Sequence, residues 1–179
     1  MPKIIENLPE TILEAANMIL MEQDFRDFSI RAVAKKLDIS PATIYNYYPS
    51  KEKILEALVN NFWQGLLEEI DRETADDKEA SAALEKICGL MQRSMNPFLS
   101  HWLAAGSAPM PEEHPGRDDI LSRKQSFSAE LTRHIAAVLQ RCGNDTAYAP
   151  IYTRLLVICA HYRQLSFAEI ADAIRALEK

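Results

Sequence analysis

Glycine is scarce, with only five in 179 residues. No stretch alternates β-branched and polar residues as a half-buried strand would. Together these absences argue against a sheet, and the supply of Ala, Leu, Ile, Glu and Lys favours helix. Cysteine is also sparse. The three, Cys88, Cys142 and Cys159, are odd in number and widely spaced, so no disulfide framework is expected. Each falls in a helical apolar pattern and reads as a small buried hydrophobe in a reducing compartment. Cys159 and His161 form Cys-x-His with no second ligand pair nearby, so no metal site is expected. No apolar run reaches the roughly 18 residues of a membrane span. The opening "MPKIIENLPE" lacks the basic and apolar regions of a secretory signal, and the expectation is a cytoplasmic protein. A Gly-rich phosphate loop, a nucleophile elbow and a paired metal-ligand motif are all missing. Neither enzyme activity nor a cofactor is expected.

Basic residues are in deficit overall, and the formal net charge is −6. The distribution says more than the sum. From Arg26 to Lys53 there are six basic and three acidic residues, a local +3. From Glu68 to Glu79 there are seven acidic and two basic, a local −5. One part of the chain can approach an anion that another would repel.

What is present is helical periodicity. Leu8, Ile12, Ala15, Ala16, Ile19 and Leu20 predict a helix over about 8–23, with Asn7 as a cap and Pro9 in its first turn. Ser29 caps the next, whose face is Ile30, Val33, Ala34 and Leu37. Ser40 is a good N-cap with Pro41 at the first helical position, so a short helix is expected over 41–48. Pro49 ends it, and Ser50 caps a long helix reaching about residue 72. "DRETADDKEAS" is a polar, acidic break. Further helices are expected over 82–99, 118–141 and 146–163, the third capped by Asn144 or Asp145. A last helix begins after Ser166. Residues 104–116, with three prolines and two glycines, are the most loop-like stretch. The fold class is all-α.

The segment "SPATIYNYYPSK" holds Tyr45, Tyr47 and Tyr48, three of the six tyrosines. Residues 29–48 read as helix, short turn, short helix. Second helices of that kind can lie in a major groove and present their first turn to bases. Ile44 and Tyr48, at i and i+4, share one face and can anchor the helix inward. Ala42, Thr43, Asn46 and Tyr47 then point elsewhere. Phenols and lysines reach phosphates, Asn and Thr can read base edges, and Ala permits close approach.

The pattern "FSIRAVAKKLDISPATIYNYYPSKEKILEAL" resembles the DNA-binding module of the TetR family of bacterial transcription regulators, over about residues 8–60. The resemblance implies an all-α chain: a three-helix helix-turn-helix head, residues 1–50, and a helical body for ligand binding and dimerisation, residues 51–179. It implies that Arg31, Thr43, Tyr45, Tyr47 and Lys51 contact DNA, that Asn46 contributes specificity, and that Ser40 caps the recognition helix beside Ala42. Lys51 would meet a phosphate at a helix N-terminus. Asp38 departs from the family's frequent Gly in the turn. Asp tolerates the left-handed region better than most residues, so the turn is expected to survive.

The body is less legible. Trp63, Met91, Met95, Phe98, Trp102, Phe127 and Tyr152 are candidates for lining a pocket for a small apolar or amphipathic ligand. At helical spacing they also suit plain core. Ile151, Leu155, Ile158 and Tyr162, then Phe167, Ile170, Ile174 and Leu177, form apolar faces on the last two helices. Those faces suit a four-helix interface in a homodimer. A head that reads a palindromic double-stranded operator works as a pair. The functional expectation is a dimeric repressor released by a small molecule. The alternatives are a DNA-binding regulator controlled by a protein partner and, more remotely, a helical enzyme or scaffold with a structural helix-turn-helix.

Overall fold

The computed structural model describes residues 7–22, 28–95, 117–162, 167–169 and 171. Among the described residues every regular element is helical: α1 Leu8–Glu22, α2 Ile30–Leu37, α3 Pro41–Tyr45, α4 Lys51–Thr74, α5 Ala80–Ser94, α6 Arg117–Arg141, a 3₁₀ turn Thr146–Tyr148, and α7 Ala149–His161. The chain divides into two compact units, Met1–Phe62 and Trp63–Lys179.

The caps at Ser29 and Ser40 behave as the sequence predicts, whereas Asn7, the expected cap of α1, takes φ 53° and accepts the Thr11 N–H with its carbonyl at 3.1 Å. Ser29 Oγ accepts the Ala32 N–H at 3.2 Å, and Ser40 Oγ accepts that of Thr43 at 3.1 Å. Each adds a side-chain acceptor to a helix-start N–H that also reaches the cap residue's carbonyl, at 3.1 and 3.0 Å. Regular helix in α3 ends three residues earlier than the 41–48 expected. The N–H groups of Tyr47 and Tyr48 both reach the Ile44 carbonyl, at 3.0 and 2.9 Å, so the chain keeps turning to Pro49. Pro49 then disfavours α geometry at Tyr48.

α5 stops at Ser94, and Met95 is extended at φ −74°, ψ 115°, two residues ahead of Pro97. α6 ends in a Schellman turn: Gly143 takes φ 73°, and the Asn144 N–H returns to Leu139 O at 2.9 Å. The predicted helix from residue 146 is broken in two. Asp145 Oδ1 accepts the Ala147 N–H at 2.8 Å and starts the 3₁₀ turn. Pro150, with no N–H to give, sits in the first turn of α7, where that donor is not needed. The loop-like stretch 104–116 and the cap at Ser166 lie outside the described residues.

In the first unit, the α1 face of Ile12, Leu13, Ala15, Ala16, Ile19 and Leu20 is buried, as are Phe28, Val33, Ala34, Ile44 and Ile54. In the second, α6 and α5 bury Leu131, Ile135, Val138, Ile87 and Met91 with Leu156 of α7. The two buried threonines of the described core are satisfied. Thr74 Oγ1 donates to Ile70 O at 2.7 Å and accepts from Arg141 at 3.2 Å. Thr153 Oγ1 donates to Ala149 O and lies 2.9 Å from Thr132 Oγ1. Buried hydroxyls with partners avoid the desolvation cost of orphaned ones.

Candidate nucleic-acid interface

α2, the turn at Asp38 and α3 place the candidate residues. Asp38 closes α2 in the left-handed region at φ 56°, ψ 45°, with its N–H directed to Ala34 O and Lys35 O. Ile39 N then bonds Ala34 O at 3.1 Å, which aims the chain into Ser40 and α3.

α3 is sided. Ile44 is fully buried, and Tyr48 is half-buried with its hydroxyl donating to Pro9 O at 3.3 Å. Burial, and secondarily the Glu10 carboxylate, raise the Tyr48 phenol above its ordinary range, so it stays a neutral donor. With Ile44 and Tyr48 holding one face in, the others turn outward. Ala42 and Asn46 are exposed, and Tyr45 and Tyr47 remain 52% and 48% accessible. Large aromatics left this open on a short helix contribute little to the core. Thr43 is half-buried, its Oγ1 2.9 Å from Ser40 Oγ, so its hydroxyl is oriented by the cap.

Arg31 is exposed in the first turn of α2. Lys51 opens α4, its ammonium 5.6 Å from the centroid of the Phe28 ring, within cation–π range. Ser50 Oγ accepts the Lys53 N–H at 3.4 Å at the same helix start. The Ser50 hydroxyl and the Glu52 backbone N–H hold the Glu52 carboxyl below the usual range for a glutamate. Lys36 is engaged with Glu22 at 3.9 Å.

In the second unit, Trp63, Met91, Met95, Phe127 and Tyr152 are all buried. Trp63 stacks on Phe127 with ring centroids 3.6 Å apart. Phe98 and Trp102 lie outside the described residues. A cleft of about 420 Å³ opens between Lys78, Ser81, Leu84, Asn144, Tyr152 and Phe167. Of the described candidate pocket residues, Tyr152 lines it, and Trp63, Met91, Met95 and Phe127 are not among its walls. Sequence periodicity gave no signal for this cleft, because its walls come from four separate segments.

Along α7 and its C-cap, Ile151, Ile158 and Tyr162 are 42%, 45% and 58% exposed, with Leu155 half-buried between them. Phe167, half-buried, follows. Ile170 and Ile174 lie outside the described residues. Among the described residues no group of three or more His, Cys, Asp or Glu is placed to hold a metal, and no helix is long and apolar enough to cross a membrane.

Residues 12–58 match the family model of bacterial regulatory proteins of the tetR family. The chain is similar to an uncharacterised HTH-type transcriptional regulator of Mycobacterium tuberculosis, Rv1255c, at 28% identity over 63% of this chain and 57% of that one. It therefore spans little more than half the length of that relative. It is also 27% identical to the HTH-type transcriptional repressor KstR of Mycolicibacterium smegmatis, over 72% of this chain and 69% of that one. In fold it matches a TetR transcriptional regulator from Legionella pneumophila, with a TM-score of 0.64 at 18% identity, covering 93% and 94% of the two chains. The capped helix-turn-helix with its outward polar and aromatic face lies inside residues 12–58, the segment that matches the N-terminal module of the tetR family, and the all-helical chain shares its fold with a solved TetR regulator.

Proposed function

We propose that this chain is a homodimeric repressor that reads a palindromic duplex operator and lets go when a small apolar or amphipathic ligand occupies its body. The observation that carries the reading is the sidedness of α3. Ile44 is fully buried, while Ala42, Tyr45, Asn46 and Tyr47 face outward. In this reading residues 1–50 are the head and 51–179 the body, with Lys51 at the junction. Arg31, Tyr45, Tyr47 and Lys51 hold phosphates, Thr43 and Asn46 meet base edges, and Ser40 sets the geometry of the first turn. Ala42 has no side chain to block approach.

The dimer reading rests on the open apolar row of α7, which a second copy would cover. The ligand reading is supported by a cleft of about 420 Å³, within the range common for small-molecule sites. The ligand would act by favouring a body conformation whose heads no longer fit successive half-sites. The description of KstR as a repressor supports the sign of regulation.

The test is titration of the purified protein against the duplex upstream of its own gene and against a random duplex, at several salt concentrations. Tight, selective binding at two subunits per duplex is the expected result. Equal affinity for both duplexes would leave a DNA-binding head with its operator elsewhere. No binding to either, at low salt, would overturn the reading.

A further inference from the structure

α5 and α7 carry two thiols into one spot. Cys88 Sγ and Cys159 Sγ are 2.7 Å apart, although 71 residues separate them in the chain. Both side chains are buried, at 2% and 0% exposure. The sulfurs need to close by roughly 0.7 Å to reach the ~2.05 Å of a disulfide. Their surroundings are unequal. Gln92 Nε2, one turn along α5 from Cys88, donates to Cys159 Sγ at 3.2 Å and to Cys159 O at 3.3 Å. Of the two sulfurs, Cys159 Sγ is the one on which the Gln92 amide is aimed. Cys142, the third thiol, is directed at Asp77 O at 3.6 Å and has no part in the cluster.

We propose that Cys88 and Cys159 are a modification site: a dithiol that a small hydroperoxide converts to an intrachain disulfide joining α5 to α7. Cys159, as thiolate, attacks the terminal peroxide oxygen. The O–O bond breaks and an alcohol leaves, or water when the oxidant is hydrogen peroxide, so Cys159 becomes a sulfenic acid. Cys88 sulfur then attacks Cys159 sulfur, the S–O bond breaks, and water leaves with the Cys88 proton. Two electrons pass from the two thiols to the peroxide, and exchange with a dithiol restores them. Burial, then the hydrogen bond to Cys159, push the Cys88 thiol up to about 12, which keeps its proton in place at neutral pH. Cys88 is therefore the resolving partner. The oxidant reaches Cys159 when α7 opens locally, so the reaction is slower than at an exposed, activated thiol. The inference stands apart from the operator and ligand readings, since it concerns only the two thiols.

The experiment uses the full reduced chain under native conditions with hydrogen peroxide as probe. The reaction is quenched, the chain is unfolded and alkylated, and the products are read by intact mass and peptide mapping. The expected result is that three alkylatable thiols fall to one, at Cys142, with the Cys88 and Cys159 peptides linked, and that dithiothreitol restores all three. A Cys142→Ser chain should form the same link, which removes thiol shuffling as its source. Cys88→Ser should leave Cys159 as a sulfenic acid trapped by dimedone, with no intrachain link. The proposal is overturned if all three thiols stay alkylatable in the wild-type chain and both remaining thiols do so in the Cys142→Ser chain. A link that involves Cys142 instead also overturns it.

Discussion

The phenol of Tyr48 donates to the carbonyl of Pro9 at 3.3 Å, tying the residue after the α3 turn to the first turn of α1 across 39 residues. Three tyrosines lie within four positions, and only this one is turned in. Tyr48→Phe keeps the ring and removes the bond, leaving a half-buried carbonyl without that donor. The expected cost is about 1 kcal/mol in urea unfolding. Tyr45→Phe and Tyr47→Phe, at exposed positions, should change stability by less than about 0.5 kcal/mol. They should instead weaken operator binding. A stability loss at Tyr45 or Tyr47 equal to that at Tyr48 would show that α3 is not sided in solution.

The turn between α2 and α3 depends on Asp38 at φ 56°, ψ 45°. Asp can occupy the left-handed region, but glycine does so without a Cβ penalty. Asp38→Gly should therefore leave stability unchanged or raise it slightly. Asp38→Ala should lower it by about 1 kcal/mol, because alanine meets the Cβ clash without a polar side chain to offset it. Paired thermal melts give the order Gly, Asp, Ala from most to least stable. An alanine variant as stable as wild type would mean the turn relaxes to another geometry.

These two positions show what was readable before the structure. Caps and periodicity are local, so Ser29, Ser40 and the apolar faces of α1, α2 and α4 could be placed from spacing alone. The inward anchors Ile44 and Tyr48 followed from i, i+4 geometry, and with them the outward set on α3. Element ends set by backbone competition were harder. α3 loses regular geometry after Tyr45, and Pro150 splits the predicted helix from residue 146 into a 3₁₀ turn and α7. Features built from distant segments left no local trace. The cleft takes walls from residues 78–81, 84, 142, 144, 152, 167 and 171, and the Cys88–Cys159 pair spans 71 residues. Periodicity reports which way a side chain faces, and it does not report what that side chain meets.

Lys51 and Asn46 should fail in different ways. Lys51 brings a charge to the start of α4, and Asn46 an exposed amide to the C-terminal end of α3. If Lys51 meets a phosphate, Lys51→Ala weakens binding to every duplex alike and lowers the salt slope by about 1. If Asn46 meets a base edge, Asn46→Ala changes the preference among operator variants and leaves the salt slope alone. Binding isotherms on a panel of duplexes at several salt concentrations separate the two. Wild-type behaviour in both variants would remove α3 from the groove.

Glu52 gives α4 a weak acid dependence. Its carboxyl is held low by the Ser50 hydroxyl and by its own backbone N–H, at a helix start that favours negative charge. A folded-state value below the unfolded one means the contribution is complete above about pH 4.3 and is lost as pH falls through the lower folded value. The side chain is exposed, so the effect is screened to roughly a few tenths of a kcal/mol. Glu52→Gln should be slightly less stable than wild type at neutral pH. The gap should close as pH falls below about 4.3 and the folded carboxyl takes up its proton. Melting curves across that range check it, and a gap that persists at the acid end would assign the loss to packing instead.

Ile158 tests the second copy. It is 45% exposed on α7, in line with Ile151 and Tyr162, so its side chain contributes little to the subunit's own core. A charge at the centre of an apolar interface is strongly unfavourable once buried without a partner. If the proposed homodimer forms through this row, Ile158→Glu should yield a folded monomer, with unchanged helical content by circular dichroism and half the wild-type mass in sedimentation equilibrium. Operator affinity should fall by at least about tenfold, a loss of roughly 1.4 kcal/mol, because one head cannot hold two half-sites. A variant that remains dimeric would move the interface off this row. One that unfolds would mean the row closes the subunit itself, and Ile151→Lys, at the first exposed turn of the same face, should then unfold as well.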